Sequence, residues 1–223
     1  MDEVKGDPPP VPHLRRPPTD ATRNPDSLRD WLLLIYRVPQ DPPGRRSYVW
    51  RQIKQLGAVY LQQAAAVLPD TGETHDALGA LADRIRAMDG EVSLLRTTSP
   101  SQDWEDDLIA RFNQARDAEY QEIVESVERF EDEIRRESRK GRFTFAELEE
   151  SETDWEKLHR WQERVEARDF FGAQDRAAAE EAMARGRRAL DVFTREVYVR
   201  ENLEVDDQGN GREHPAVTER PNA

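Results

Sequence analysis

Five cations crowd one short stretch of the chain. Arg37, Arg45, Arg46, Arg51 and Lys54 all lie within residues 37–57, where Asp41 is the single acid. Arg51 and Lys54 are three apart, so a helix through them presents both on one face. Arg45 and Arg46 stand just before the start expected for that helix. Phosphate backbones are bound through local positive charge of this kind, and on this reading Arg45, Arg46, Arg51 and Lys54 form a nucleic-acid contact patch. The same cations also suit a solvated helix face, or ion pairs with acids elsewhere in the chain, which are individually weak. Arginine forks match tetrahedral oxyanions as well, but spacing alone builds no such pocket.

Other chemistry has little material. There is no Cys, and the four His, at 13, 75, 159 and 214, are too far apart in sequence for metal-ligand spacing. Carboxylates are plentiful but run along helix faces, as in Glu147-Leu-Glu-Glu-Ser-Glu152, whereas acid–base work needs a partly buried pair with separated pKa values. His159 lacks an accompanying nucleophile motif. No G-x-S-x-G, P-loop or G-x-G-x-x-G occurs. No catalytic, cofactor-binding or metal residue is assigned, and no enzyme activity is expected. Trp50, Trp104, Trp155, Trp161, Phe170 and Phe171 fit helical core faces. Only Tyr36 and Tyr60 sit on expected strands, where a stacking platform would need them.

Positioning falls to two textures with opposite charge. The chain has 223 residues and a net charge of -13. Residues 1–68 hold 10 Lys and Arg against 7 Asp and Glu, a net of +3. Residues 69–223 hold 23 against 39, a net of -16. Any polyanion contact is therefore confined to the N-terminal third. The longest apolar run, Trp31 to Tyr36, is far too short for a membrane span of about 20 residues.

Residues 1–27 carry seven of the 14 prolines and read as a disordered arm with no secretory signal. Residues 28–100 read as strand (Trp31–Val38), helix (from Ser47, closed by Gly57), two strands within Ala58–Leu68 broken near Gln62 or Gln63, helix (Thr74–Met88) and strand (Glu91–Thr97). One long strand is the competing reading of Ala58–Leu68. This order is that of a ferredoxin-like βαββαβ domain. Val49, Trp50, Ile53 and Leu56 are spaced for one face of the first helix. Residues 101–201 read as helix throughout, broken at Gly141 and at Phe170-Phe171-Gly172, with the last helix over Ala173–Arg200. An antiparallel helical hairpin or three-helix bundle is expected. Residues 202–223 read as a disordered polar tail. The fold class is therefore α+β.

Several strings, in order along both textures, resemble one family. They are Trp31-Leu-Leu-Leu-Ile-Tyr-Arg-Val-Pro39, Val49-Trp50-Arg51 with Lys54-Gln-Leu-Gly-Ala58, Ala65-Ala-Val-Leu-Pro69, Gly141-Arg-Phe-Thr-Phe-Ala-Glu-Leu-Glu149 and Arg168-Asp-Phe-Phe-Gly-Ala173. Together they look like the N-terminal domain of ChrB, the chromate resistance regulator, over roughly residues 29–200. The resemblance implies a bacterial, cytoplasmic, non-enzymatic regulator of transcription, or its accessory subunit. Promoter DNA is then the expected partner. A homodimer is expected too. On this resemblance a stand-alone form without the second ChrB domain of the full-length pattern is expected, with a separate protein carrying that C-terminal domain as a further expected partner. A protein–protein interaction or dimerisation module without DNA binding is the alternative. The α+β part is also similar to the middle domain of phenylacetate-type repressors and to the small CRISPR adaptation endoribonuclease. In that nuclease an Asp follows the aromatic residue of the first strand. Here Arg37 follows Tyr36, which disfavours nuclease chemistry.

Overall fold

The computed structural model describes residues 28–41 and 43–209, the last eight as backbone. The arm expected over 1–27, and the tail from residue 210, lie outside the described residues. The chain forms two compact units. One comprises residues up to Glu122 with Trp161–Ala177, the other Ile123–Arg160 with the residues from Ala178. The division thus falls inside three helices rather than at the change of texture near residue 100.

The first unit contains β1 (Asp30–Arg37), α1 (Arg45–Gln55), β2 (Val59–Gln62), β3 (Ala65–Pro69), α2 (Gly72–Ala87) and β4 (Glu91–Thr98). The strands lie in the order β2-β3-β1-β4 and every pairing is antiparallel, which is the split βαβ arrangement expected from the sequence. The apolar β1 sits centrally, between β3 and β4. Ala58–Leu68 does divide into two strands, and the register shifts between Tyr60 and Gln62.

Side chains alternate along a strand, so each face of the sheet can be followed separately. Leu32 and Leu34 share a side with their partners Leu68 and Ala66, and all four are almost wholly buried. Val49 and Ile53 of α1 and Leu78, Leu81 and Ile85 of α2 complete this core. Each such aliphatic side chain stabilises by about 1.5–3 kcal/mol relative to exposure. On the opposite side Trp31 is 1% exposed and its ring lies 5.7 Å from that of Phe112. Ile35 and Leu95 alternate onto that same side, where they are 44% and 50% exposed.

Helix boundaries follow local chemistry. α1 starts two residues before Ser47, because Gly44, at φ 98°, turns the chain directly into the helix without a side-chain cap. Gly57 closes it at φ 79°, as a left-handed glycine does. α2 starts two residues before Thr74, because Thr71 is the cap: its hydroxyl accepts from the Thr74 amide at 3.1 Å and the Thr74 hydroxyl accepts from the Thr71 amide at 2.8 Å.

Three long helices follow: α3 (Gln102–Lys140), α4 (Phe145–Glu166) and α5 (Arg176–Gly209). α5 continues past the Arg200 end expected for it, into the segment read as tail. Gly141, at φ 71°, ends α3, and Thr144 caps α4 by accepting from the Glu147 amide at 3.3 Å. The second unit is held by Phe130 against Trp155 and Phe143 against Phe193, at 5.6 and 5.7 Å. Ala179 and Ala182 are fully buried. Gly186 makes room for close packing: a Cβ there would stand 2.7 Å from the Trp155 ring and 2.9 Å from Val127. Among the described residues no helix is long and apolar enough to cross a membrane.

Candidate functional site

α1 places its residues about 100° apart, so Arg46, Trp50, Lys54 and Arg51 occupy one arc of roughly 140° opposite the buried stripe of Val49, Gln52 and Ile53. All four are exposed. Among the described residues the side chains of Arg46, Arg51 and Lys54 have no ion-pair or hydrogen-bond partner. Trp50 is 51% exposed, which corrects its assignment to the core face of the first helix: it lies on the solvent arc, four residues after Arg46. Trp104, also read as a core residue, is 65% exposed.

Arg45 does not join this patch. Its guanidinium donates to the Met88 carbonyl at 2.8 Å and lies 3.7 Å from the Asp89 carboxylate. It therefore ties the start of α1 to the turn after α2. Of the four predicted contact residues, three share the exposed arc and the fourth holds two elements together.

A cavity of about 580 Å³ opens beside this arc, where β1 ends and α1 begins. Tyr36 and Tyr60 share a hydrogen bond of 3.0 Å between their hydroxyls and help to line it, with Trp50 and Val38 completing the apolar wall and Arg37 and Arg46 supplying the charge. No carboxylate contributes to the lining. Burial, reinforced by the hydrogen bond and the charge of Tyr36, pushes the Tyr60 hydroxyl well above its ordinary range, so Tyr60 keeps its proton at physiological pH. The cavity can offer stacking faces and donors; it holds no group suited to act as a base.

The C-terminal end of α1 rests on a second, buried cluster of cations. Arg168 donates to Glu119 at 3.0 Å and to the Lys54 carbonyl at 3.2 Å. Arg116 lies 3.1 Å from the same carboxylate and is 4% exposed. Burial holds both guanidinium pKa values below the ordinary one, against the pull of Glu119. Asp169 accepts from the Gly172 and Ala173 amides, each at 3.0 Å, and from the Tyr120 hydroxyl at 3.2 Å. Burial, followed by the Asp169 charge, raises the Tyr120 pKa. Phe170 and Phe171 pack on Phe112 at 6.1 and 5.4 Å. The string Arg168-Asp-Phe-Phe-Gly-Ala173 is therefore a clamp: its acid fixes its own turn, its aromatics cover the Trp31 end of the sheet and its arginine grips the end of α1.

Tyr36 and Tyr60, the two strand aromatics that the sequence singles out, do come together in this cavity, whereas Trp50's place beside them and the clamp escape sequence reasoning. Trp50 carried one available signal, since a large aromatic four residues from Arg46 on a helix already supplied with Val49, Ile53 and Leu56 is surplus to the core. Among the described residues no group of three or more His, Cys, Asp or Glu is arranged to hold a metal ion.

A family model described as "Protein ChrB, N-terminal" matches residues 46–204, which takes in α1 from Arg46 onward, the cavity's Trp50 and Tyr60, and the clamp. Protein ChrB of Cupriavidus metallidurans (strain CH34) is 34% identical over 92 residues, covering 41% of this chain and 28% of that protein. The chain thus matches well under two thirds of that relative's length. Because the family match extends over most of the chain and over both of its compact units, the chain belongs to the ChrB N-terminal family.

Proposed function

We propose that this is a ChrB-like regulatory protein associated with chromate resistance, working in the cytoplasm by binding rather than by turnover, and that it contacts promoter DNA through the exposed arc of α1. The observation that carries this reading is the charge state of the arc. Arg46, Arg51 and Lys54 are exposed and have no partner among the described residues, whereas Arg45, one residue away, is engaged by Met88 and Asp89. Cations left free on a helix face in a chain of net charge -13 supply the local positive field that a phosphate backbone needs.

The test is titration of the DNA upstream of the chain's own gene at several salt concentrations. Affinity is expected to fall steeply with salt, and each lost phosphate contact is expected to reduce the logarithmic salt slope by about 1. Arg51→Glu combined with Lys54→Glu should abolish the interaction; binding that survives this pair unchanged removes the arc from the function.

A second reading is a dimerisation or interaction module, in which a second copy or a separate protein carrying the ChrB C-terminal domain is the partner. It is favoured by Ile35 and Leu95, which lie about half exposed on one side of the sheet. Light scattering distinguishes the two: a dimer that shifts no DNA at low salt supports the module, and dissociation by Leu95→Glu would place its interface on the sheet.

A further inference from the structure

The cavity at the end of β1 is the wrong kind of place for a phosphate backbone alone. Its walls are the rings of Tyr36, Trp50 and Tyr60, and its polar groups include Arg37, Arg46 and the Gln63 side chain. The guanidinium groups only donate, and the Gln63 amide, Tyr60 hydroxyl and Trp50 indole can each donate as well. The complementary ligand offers carbonyl acceptors, few donors of its own, a flat apolar surface and some negative charge. A proline-rich peptide meets all four requirements. Proline has no amide hydrogen, and proline-rich segments dock into aromatic-lined grooves by this combination of ring packing and carbonyl acceptance.

The chain supplies such a segment itself. Asp7-Pro-Pro-Pro-Val-Pro12 lies in the N-terminal 27 residues. Pro9 and Pro12 are three apart, so a polyproline II conformation, with three residues per turn, would bring them onto one edge. The residues before the prolines carry Asp2, Glu3 and Asp7 against Lys5, a net of -2, opposite in sign to Arg37 and Arg46. The tether is long enough. β1 carries the chain from Asp30 to Arg37, so the cavity lies about 26 Å from Leu28 at strand rise. The 16 steps from Pro12 to Leu28, through the 15 residues between them, can extend to about 50 Å at the polyproline rise. A tether whose reach exceeds the span by this margin gives a local concentration in the millimolar range, so a weak individual contact suffices.

We propose that the aromatic cavity is a polyproline-binding site whose occupant is the chain's own segment Asp7–Pro12, with Pro9 and Pro12 against Trp50 and Tyr60 and the acidic end beside Arg37 and Arg46. This rests on the cavity and the arm sequence, and holds whether or not α1 binds DNA.

The test is photo-crosslinking in the full-length chain, with a benzoylphenylalanine placed at Val11 and the products mapped by mass spectrometry. Crosslinks are expected on the peptides carrying Trp50 and Tyr60. In a mixture of isotopically light and heavy chains they should join segments of the same label. Trp50→Ala, and separately Pro9→Ala with Pro12→Ala, should each lower the yield at least tenfold, and Arg37→Glu with Arg46→Glu should lower it further than raising salt does. All these substitutions are at exposed cavity positions or in the arm, and circular dichroism of each variant verifies that it is folded. Crosslinks that map elsewhere, or that persist in Trp50→Ala, overturn the proposal. Crosslinks joining light to heavy chains overturn it as well, by placing a second copy's arm in the cavity.

Discussion

Arg168 and Arg51 belong to the same compact unit and have opposite surroundings. Arg168 is partly buried, its side chain 13% exposed, with its guanidinium against Glu119 and the Lys54 carbonyl, and burial lowers its pKa. Arg51 stands on the outer arc of α1 with no partner among the described residues. The first cation holds the helix in place, and its carboxylate partner offsets its desolvation. The second keeps its hydration and is available to an external anion. A basic count along the sequence cannot separate these roles; burial and partners do.

The contrast predicts a graded series of stability changes, measured by thermal or denaturant unfolding. Arg168→Ala should be the most damaging, at about 3 kcal/mol, because it breaks a largely buried pair and frees the end of α1. A loss below ~0.5 kcal/mol would mean that the clamp contributes packing only. Gly57→Ala should cost about 2 kcal/mol: the position has φ 79°, which a Cβ disfavours, and the new carbon would stand 2.6 Å from the Cβ of Arg168. Arg45→Ala should cost about 1 kcal/mol through the lost bond to Met88, while its neighbour Arg46→Ala should fall within the ~0.5 kcal/mol typical of surface changes. If Arg45 and Arg46 prove alike, the distinction between holding and contacting cations fails at the place where it is drawn most finely. The smallest effect is expected from Arg51→Ala, which should leave the melting curve unchanged while altering the salt dependence of DNA affinity.

Much of the α+β unit was legible because its signals are local. The run Trp31–Tyr36 is apolar on both faces, and Gly57 and Asp89-Gly90 mark turns by their backbone freedom. Ala58–Leu68 was readable as two strands even though its bulge was not. The helix starts were missed by two residues at both Ser47 and Thr74, since the controlling residues, Gly44 and Thr71, lie one step outside the periodic pattern. The exposed cations were identifiable by type. Separating Arg45 from Arg46 required knowing that Met88 lies above the start of α1, a contact 43 residues away in sequence. Trp50 was assigned to the core because an aromatic side chain at helical spacing normally buries its ring; only the completed stripe of Val49, Gln52 and Ile53 leaves it outside. The roles of Arg168 and Asp169 are not legible locally, because their partners, Glu119 and Tyr120, are 49 residues distant.

The clamp also sets a timetable. Trp31 and the end of α1 emerge early during synthesis, but the residues that cover them, Phe170 and Phe171, and the arginine that grips α1 come about 70 residues after β4 is complete. At the roughly 5–20 residues per second of translation, the ribosome takes on the order of 4–15 s to supply them. Through that interval the four-stranded sheet has both its helices and lacks the cover on one ring. Nascent chains arrested before residue 173 has emerged should therefore be cut by protease near Trp31, and chains arrested well beyond it should resist. A sheet whose last wall arrives so late is exposed to holding chaperones for the whole of that window.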